Sequence, residues 1–336
     1  MKWTGSYDKC HIDHIDKKRW LFAMYTICFG IMVMLVFGRF LYYGKSFVGG
    51  ADGLSQVAPT MQYTGQYYRA LLKNILQGNL QIPMWDMSIG FGMNILQVIS
   101  FDPVYILCSV LFVHDIAVGI AIFDMLCLYL AGIMFIALCY NLGCNRYAAL
   151  AAALAYIFNG YILNYCMAQN SFLRLFIVLP MILLGVYNVT KKNRYGIFVL
   201  AVLYNITLGP LNIYTIGIVL IFCFCMAYIF SDRKKGVADF FSYIWKPVLI
   251  YILEMLVMAV FLIPTMYKVV SGGRIGNASI NFQWLYDVSY YRSLFHGLVG
   301  VDEIGIHGYI GVTTIAILAV VCLVIKGNKS LLEKEL

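Results

Sequence analysis

The side chains best suited to chemistry are gathered in residues 49–97, where the run GADGLSQVAP places Asp52 among small residues and Gln56 one helical turn later. A single carboxylate can act as a general base when a substrate hydroxyl comes within hydrogen-bond reach. An Asp beside glycines also caps turns and helix starts, which is the plainer use of such a residue. Ser55 is a second candidate for that cap, which leaves Asp52 available for chemistry. Further on, Arg69 and Lys73 stand one turn apart, and Trp85, Asn94 and Gln97 fall in the turn-rich run GNLQIPMWDMSIGFGMNILQ. The two cations either meet lipid head groups without selectivity or grip the phosphate of one particular lipid. The turn-rich strip is expected to form a wall of the site. A later segment, 268–307, holds Arg274, Arg292 and His296 together with Asp287, Asp302, Glu303 and His307. Either it binds an anionic group or it is a charged loop in water.

Two short helices are expected to carry this stretch. Between 58 and 77, Met61, Thr64, Tyr68, Leu71, Leu72 and Ile75 recur at three-and-four spacing, with Gln62, Gln66, Arg69, Lys73 and Gln77 opposite. That period predicts an amphipathic helix lying on a membrane. Pro59 suits its first turn and Gly78 the position just past its end. Residues 103–113 are apolar but too short to cross, which predicts a second interfacial or re-entrant helix.

The remainder reads as membrane. Of 336 residues, 62% are hydrophobic and only 12% are charged, and the mean hydropathy is +0.80. The apolar runs approach the ~20 residues that cross a ~30 Å hydrocarbon core, so the chain is expected to be an all-α polytopic protein of about eight spans. These are 20–43, 115–140, 147–165, 172–190, 195–208, 211–230, 243–267 and 308–325. The fifth and sixth flank Gly209-Pro210 and could be one broken element. Lys and Arg exceed Asp and Glu by 24 to 16, and the surplus sits in short loops: Arg146, the KKNR run at 191–194, the RKK run at 233–235, and Lys326 with Lys329. Basic loops stay in the cytoplasm, so topology accounts for the charge and no nucleic acid partner is called for. A cytoplasmic tail, 1–19, then precedes a single transmembrane domain, 20–336. Both termini lie inside, with loops 44–114 and 268–307 outside. The first apolar run lacks a cleavage signal and is expected to be retained.

Other chemistry-bearing residues are weaker signals. Most of the 10 cysteines fall in apolar runs, where Cys behaves as a small hydrophobe. Cys108 and Cys166 are the pair expected near the outer face, and no disulfide framework is implied. His11, Asp13, His14 and Asp16 have a spacing that could ligate a metal, yet nothing later supplies a partner cluster. No metal site is assigned, and a divalent ion is left open as a cofactor. Asp124 and Glu254 are ionisable groups inside spans, each a functional hypothesis by its position. Arg39 is the candidate partner of Asp124, in either a structural pair or a substrate groove. Glu254 has no evident partner.

The run GADGLSQVAPTMQYTGQYYRALLKNILQGNLQIPMWDMSIGFGMN, then FDPVYIL, LYLAGIMFIALCYNLGCNRYAALAAALAYIFNGY and LPMILLG, resembles the YfhO family of bacterial membrane proteins, which belongs with the GT-C glycosyltransferases. The resemblance implies a GT-C-like bundle in the bacterial cytoplasmic membrane, with interfacial helices in the first outer loop. It implies a sugar passed from a polyprenyl-phosphate donor to a cell-surface polymer such as a teichoic acid, outside the membrane, in a single inverting displacement. Asp52 maps onto the family's acidic position, with the role of base toward the acceptor hydroxyl. Arg69, Lys73, Arg274 and Arg292 are then the candidates to stabilise the leaving phosphate. Family members usually run longer, which leaves acceptor recognition least defined. The alternative is a flippase for lipid-linked sugars, or another transporter without chemistry. Asp124 and Glu254 would favour it, and the long loop at 49–97 argues against it. A non-catalytic partner subunit is a third reading.

Overall fold

The computed structural model describes residues 5–50, 52–167, 169–208, 219, 236–271, 287–289 and 318. In chain order its helices are α1 (Gly5–Tyr42), α2 (Ala58–Leu76), α3 (Pro103–Leu111), α4 (Ile116–Asn141), α5 (Arg146–Ile157), α6 (Leu173–Lys192), α7 (Gly196–Ile206), α8 (Gly236–Val257) and α9 (Ala259–Ser271). Two π-turns, Gly53–Val57 and Ile162–Cys166, lead into α2 and follow α5. A small hairpin between α2 and α3 pairs β1 (Trp85–Asp86) antiparallel to β2 (Met93–Asn94), with Trp85 opposite Asn94.

Among the described residues, four helical segments are long and apolar enough to cross a membrane: Arg19–Tyr42, Ile116–Asn141, Arg146–Asn164 and Leu173–Lys192. They coincide with the first four expected spans. The others differ. The expected span 195–208 is the 11-residue α7, about 16 Å long at 1.5 Å per residue and so roughly half of what crossing requires. The expected span 243–267 is two helices that meet at Met258. Pro264 inside α9 offers no N–H to the carbonyl one turn back. The expected spans 211–230 and 308–325 lie outside the described residues, apart from Val219 and Leu318. The tail expected at 1–19 is helical from Gly5, continuous with α1.

α4 is the centre of the bundle, with α5 and α6 packed on it and α1 along one side. Its buried face includes Phe123, Cys127, Leu128 and Ile136. Tyr25 of α1 is fully buried, stacks on Tyr129 with ring centroids 5.5 Å apart, and donates its hydroxyl to the Tyr129 carbonyl at 3.0 Å. α6 and α7 touch backbone to backbone, since a Cβ added at Gly185 would stand 2.6 Å from Phe198 Cα.

Charge separates the two ends of the bundle. At one end, Lys192 Nζ donates to Asn141 Oδ1 at 2.6 Å and Lys246 Nζ to Asn193 Oδ1 at 2.9 Å. The Arg146 guanidinium lies 4.9 Å from the Trp20 ring there. Loop 44–114 closes the opposite end. In it, α2 ends as its Gly78 signal anticipates: Gly78 has φ +77°, its N–H bonds the Ile75 carbonyl at 3.0 Å, and Asn79 N–H bonds the Asn74 carbonyl at 2.9 Å. This closes the helix with a Schellman turn. α3 opens on Pro103, with Asp102 Oδ1 accepting from the backbone N–H of Val104 at 2.8 Å and of Tyr105 at 3.2 Å.

Candidate functional site

Asp52 stands at the first turn of a helix that runs through the π-turn into α2. Its side chain makes no cap bond to that helix. Instead, Oδ1 accepts from Gln56 Nε2 at 2.7 Å and Oδ2 from Gln169 Nε2 at 2.7 Å. The plain capping role is therefore not the one Asp52 fills, and Ser55, offered as the alternative cap, lies inside the π-turn rather than at its start. An ionised carboxylate accepts about four hydrogen bonds, so two amides orient it and leave capacity for a substrate hydroxyl. Gln169 reaches Asp52 from the segment that follows the second π-turn. Such turns insert one residue into a helix and often mark functional sites.

Gln56 and Gln169 line a cavity of about 270 Å³ at the end of the bundle opposite the basic loops. Thr60, Gln97, Ser100 and Arg174 also line it. The volume lies just below the ~300–1,000 Å³ of typical ligand pockets, a size for a head group rather than a long chain. Burial pushes the Tyr105 phenol in its wall well above the ordinary range, so it is a neutral hydroxyl there.

Arg174, in the cavity wall, and Asp102, outside its lining, form the one ion pair among the described residues, Nη1 to Oδ2 at 3.8 Å. Asp102 is completely buried. Besides capping α3, it accepts from the Tyr204 hydroxyl at 2.8 Å, so α3, α6 and α7 are joined through one carboxylate. Removing one partner of such a buried pair costs about 3–5 kcal/mol, because the other is left uncompensated.

The expected site residues divide into three groups. Gln56 and Gln97 line the cavity, Asp52 is bonded to the lining residues Gln56 and Gln169, and Gln97 also donates to the Pro264 carbonyl at 3.2 Å. Of the expected wall only its end, Leu96 and Gln97, lines the cavity, which continues beyond the strip through Val98 to Phe101. Asn94 caps the short turn that begins this wall, its Oδ1 accepting from Leu96 N–H at 3.0 Å. Trp85 is 60% exposed on the hairpin and donates to Met87 Sδ at 3.2 Å, away from the cavity lining. Arg69 is committed elsewhere: Nε donates to the Val110 carbonyl at 2.7 Å, Nη2 to that of Leu111 at 3.4 Å, and Nη1 lies 3.2 Å from His114 Nε2. It thus serves the carbonyls at the end of α3, which have no partner within their own helix. Lys73 is exposed and does not line the cavity. Arg274, Arg292 and His296 lie outside the described residues.

Arg39 is exposed, and it does not pair with Asp124. The Asp124 oxygens are buried without a hydrogen-bond partner. Asn170 is close enough to interact with them, yet its amide makes no bond of good geometry. The Glu254 side-chain oxygens are likewise buried without a well-formed bond. Cys108 and Cys166 are buried and free. Among the described residues, no three His, Cys, Asp or Glu side chains gather into a metal-ligating group.

A bundle of apolar helices, one end basic and the other closed over a polar cavity, defines a polytopic helical membrane protein. The chain belongs to the family described as bacterial membrane protein YfhO, whose model matches residues 24–330. No curated protein and no solved structure matched it.

Gln169, Asp102 and Arg174 were not singled out by sequence. Asp102 had a signal in the Asp-Pro start of an apolar run. Arg174 had two: a cation in the first turn of a helix opposes the macrodipole, and it lies on the side that positive-inside counting assigns to the exterior. Gln169 had none, since its meaning comes from a contact with Asp52 far away in the chain.

Proposed function

We propose that the chain is a glycosyltransferase of the bacterial cytoplasmic membrane, moving a sugar from a polyprenyl-phosphate donor to a cell-surface acceptor at the outer face. The observation that carries this is the Asp52 carboxylate, held by two glutamine amides at the wall of a polar cavity. That cavity lies at the end of the bundle away from the basic connections. The acceptor oxygen bonds to the anomeric carbon as the bond from that carbon to the phosphate oxygen breaks, with inversion. Asp52 takes the hydroxyl proton and polyprenyl phosphate leaves with the bonding electrons. Gln56 and Gln169 fix the bearing of the base.

The test supplies membranes with a labelled polyprenyl-phosphate sugar and compares wild type with Asp52→Asn at matched abundance. Transfer is expected to fall about 10²–10⁴-fold, the usual worth of a positioned base. Gln169→Leu should lower turnover, since it removes one of the two amides that orient the carboxylate. Equal transfer by wild type and Asp52→Asn would remove the base from the mechanism.

A second reading, transport without chemistry, draws on the buried Asp124 carboxyl, whose oxygens make no well-formed hydrogen bond. Loss of lipid-linked sugar translocation in Asp124→Asn, with Asp52→Asn silent, would favour it.

A further inference from the structure

We infer that Arg174 is the anion-binding group of the cavity and that it holds a phosphate group, a role not shared by Arg69 or Lys73. The inference rests on the glycosyl-transfer reading only for which phosphate that is. Among the described residues that line the cavity, Arg174 alone is charged. Its side chain is only 12% exposed. A buried guanidinium is expected to use its five N–H groups, yet Arg174 Nε has no partner. The hydrogen bond formed by Nη1 is a long one, 3.4 Å to Ser100 Oγ. Asp102, at 3.8 Å, is too far for a hydrogen bond to Arg174, and its oxygens already accept from two backbone N–H groups and the Tyr204 hydroxyl. Asp102 thus offsets part of the charge and fixes the place of the guanidinium without using up its donors. The Tyr105 ring, 5.8 Å from the guanidinium carbon, supports it from another side.

A planar fork of donors in a small cavity fits the oxygens of a phosphate, which it can grip in bidentate fashion. Phosphate at Arg174 would lie in the same cavity whose glutamines orient Asp52, so the cation takes up the charge of a departing phosphate while the carboxylate takes the proton. Asp102 is a positioning residue in this scheme.

The test measures binding of farnesyl phosphate, farnesol and inorganic phosphate to the full chain in phosphatidylcholine nanodiscs. Arg174→Gln should weaken farnesyl phosphate binding about tenfold or more, the worth of a charge-assisted hydrogen bond, and leave farnesol binding unchanged. Arg174→Lys should recover part of the loss. Because Arg174→Gln strands Asp102, the double variant Asp102→Asn/Arg174→Gln serves as a neutral-pair control, expected to fold and still not to bind. Displacement of farnesyl phosphate by equimolar inorganic phosphate would support the anion site and assign it to free phosphate. Its failure to displace would support the site and assign it to a lipid-linked group. Wild-type affinity for farnesyl phosphate in Arg174→Gln or in the double variant would overturn the assignment. Arg174-dependent binding without any sugar transfer would retire the transferase reading and leave the anion site standing.

Discussion

Asp86 secures the hairpin that leads into the cavity wall. Its Oδ1 accepts from the Ser88 hydroxyl at 2.7 Å and from the Ser88 N–H at 2.8 Å, and its Oδ2 accepts from the Tyr63 hydroxyl at 2.7 Å. These bonds, Ser88 first, hold its carboxyl below the ordinary value of 3.8. A group whose pKa is lowered by folding stabilises the structure above its unfolded value and loses that effect as pH falls through the folded one. The hairpin is therefore expected to stay closed at neutral pH and to loosen in acid below the usual carboxylate range. Trp85 fluorescence followed down a pH titration should report a transition there, and Asp86→Asn should abolish it. Sequence carried unequal information at this scale. Asp52 was legible because an isolated carboxylate in a loop between apolar runs is conspicuous. Gln169 was not, because its partner Asp52 comes from another segment of the chain and no local period records such a meeting. Arg174 carried signals in its own position, a cation in a helix's first turn, but none of its meeting with Asp102.

At the scale of elements, the amphipathic helix was legible almost to the residue, expected over 58–77 and found at Ala58–Leu76. Its signals are local: a three-and-four apolar repeat, Pro near the start, and Gly just past the end. The short apolar helix expected at 103–113 is likewise found at Pro103–Leu111. What sequence did not state is how closely the two approach. A Cβ added at Gly65 would collide with the Ser109 carbonyl oxygen, so the α2 and α3 backbones are in contact. Gly65→Ala is expected to push them apart and cost about 1–3 kcal/mol, read as a lower melting temperature. Because both helices frame the cavity wall, donor binding should weaken with it. The single span expected over 243–267 is found as two helices that meet at Met258, a boundary that hydropathy does not register because both helices share one apolar run.

At the scale of the molecule, the separation of a basic end from the Asp52 end gives orientation a direct test. Cys144 is exposed and free in the α4–α5 connection, at the basic end, and Asn79 is exposed just past α2, at the other. In intact cells, a membrane-impermeant maleimide should label an otherwise cysteine-free Asn79→Cys chain. A chain keeping Cys144 alone should be labelled only after the membrane is opened. The reverse pattern would place Asp52 in the cytoplasm and exclude an outer-face reaction. The cavity itself draws on segments near residues 56–60, 96–101, 169–174 and 207–208, and this spread carries a consequence for biosynthesis. Asp52 is made early and the residues gathered with it late. A nascent chain that has released loop 44–114 carries Asp52 and Asp102 with neither Gln169 nor Arg174 yet translated, so neither carboxylate has that partner. The cavity is completed only when the segments at 169–174 and 207–208 have been made, so a ribosome stalled before α6 would leave Asp52 and Asp102 without Gln169 and Arg174.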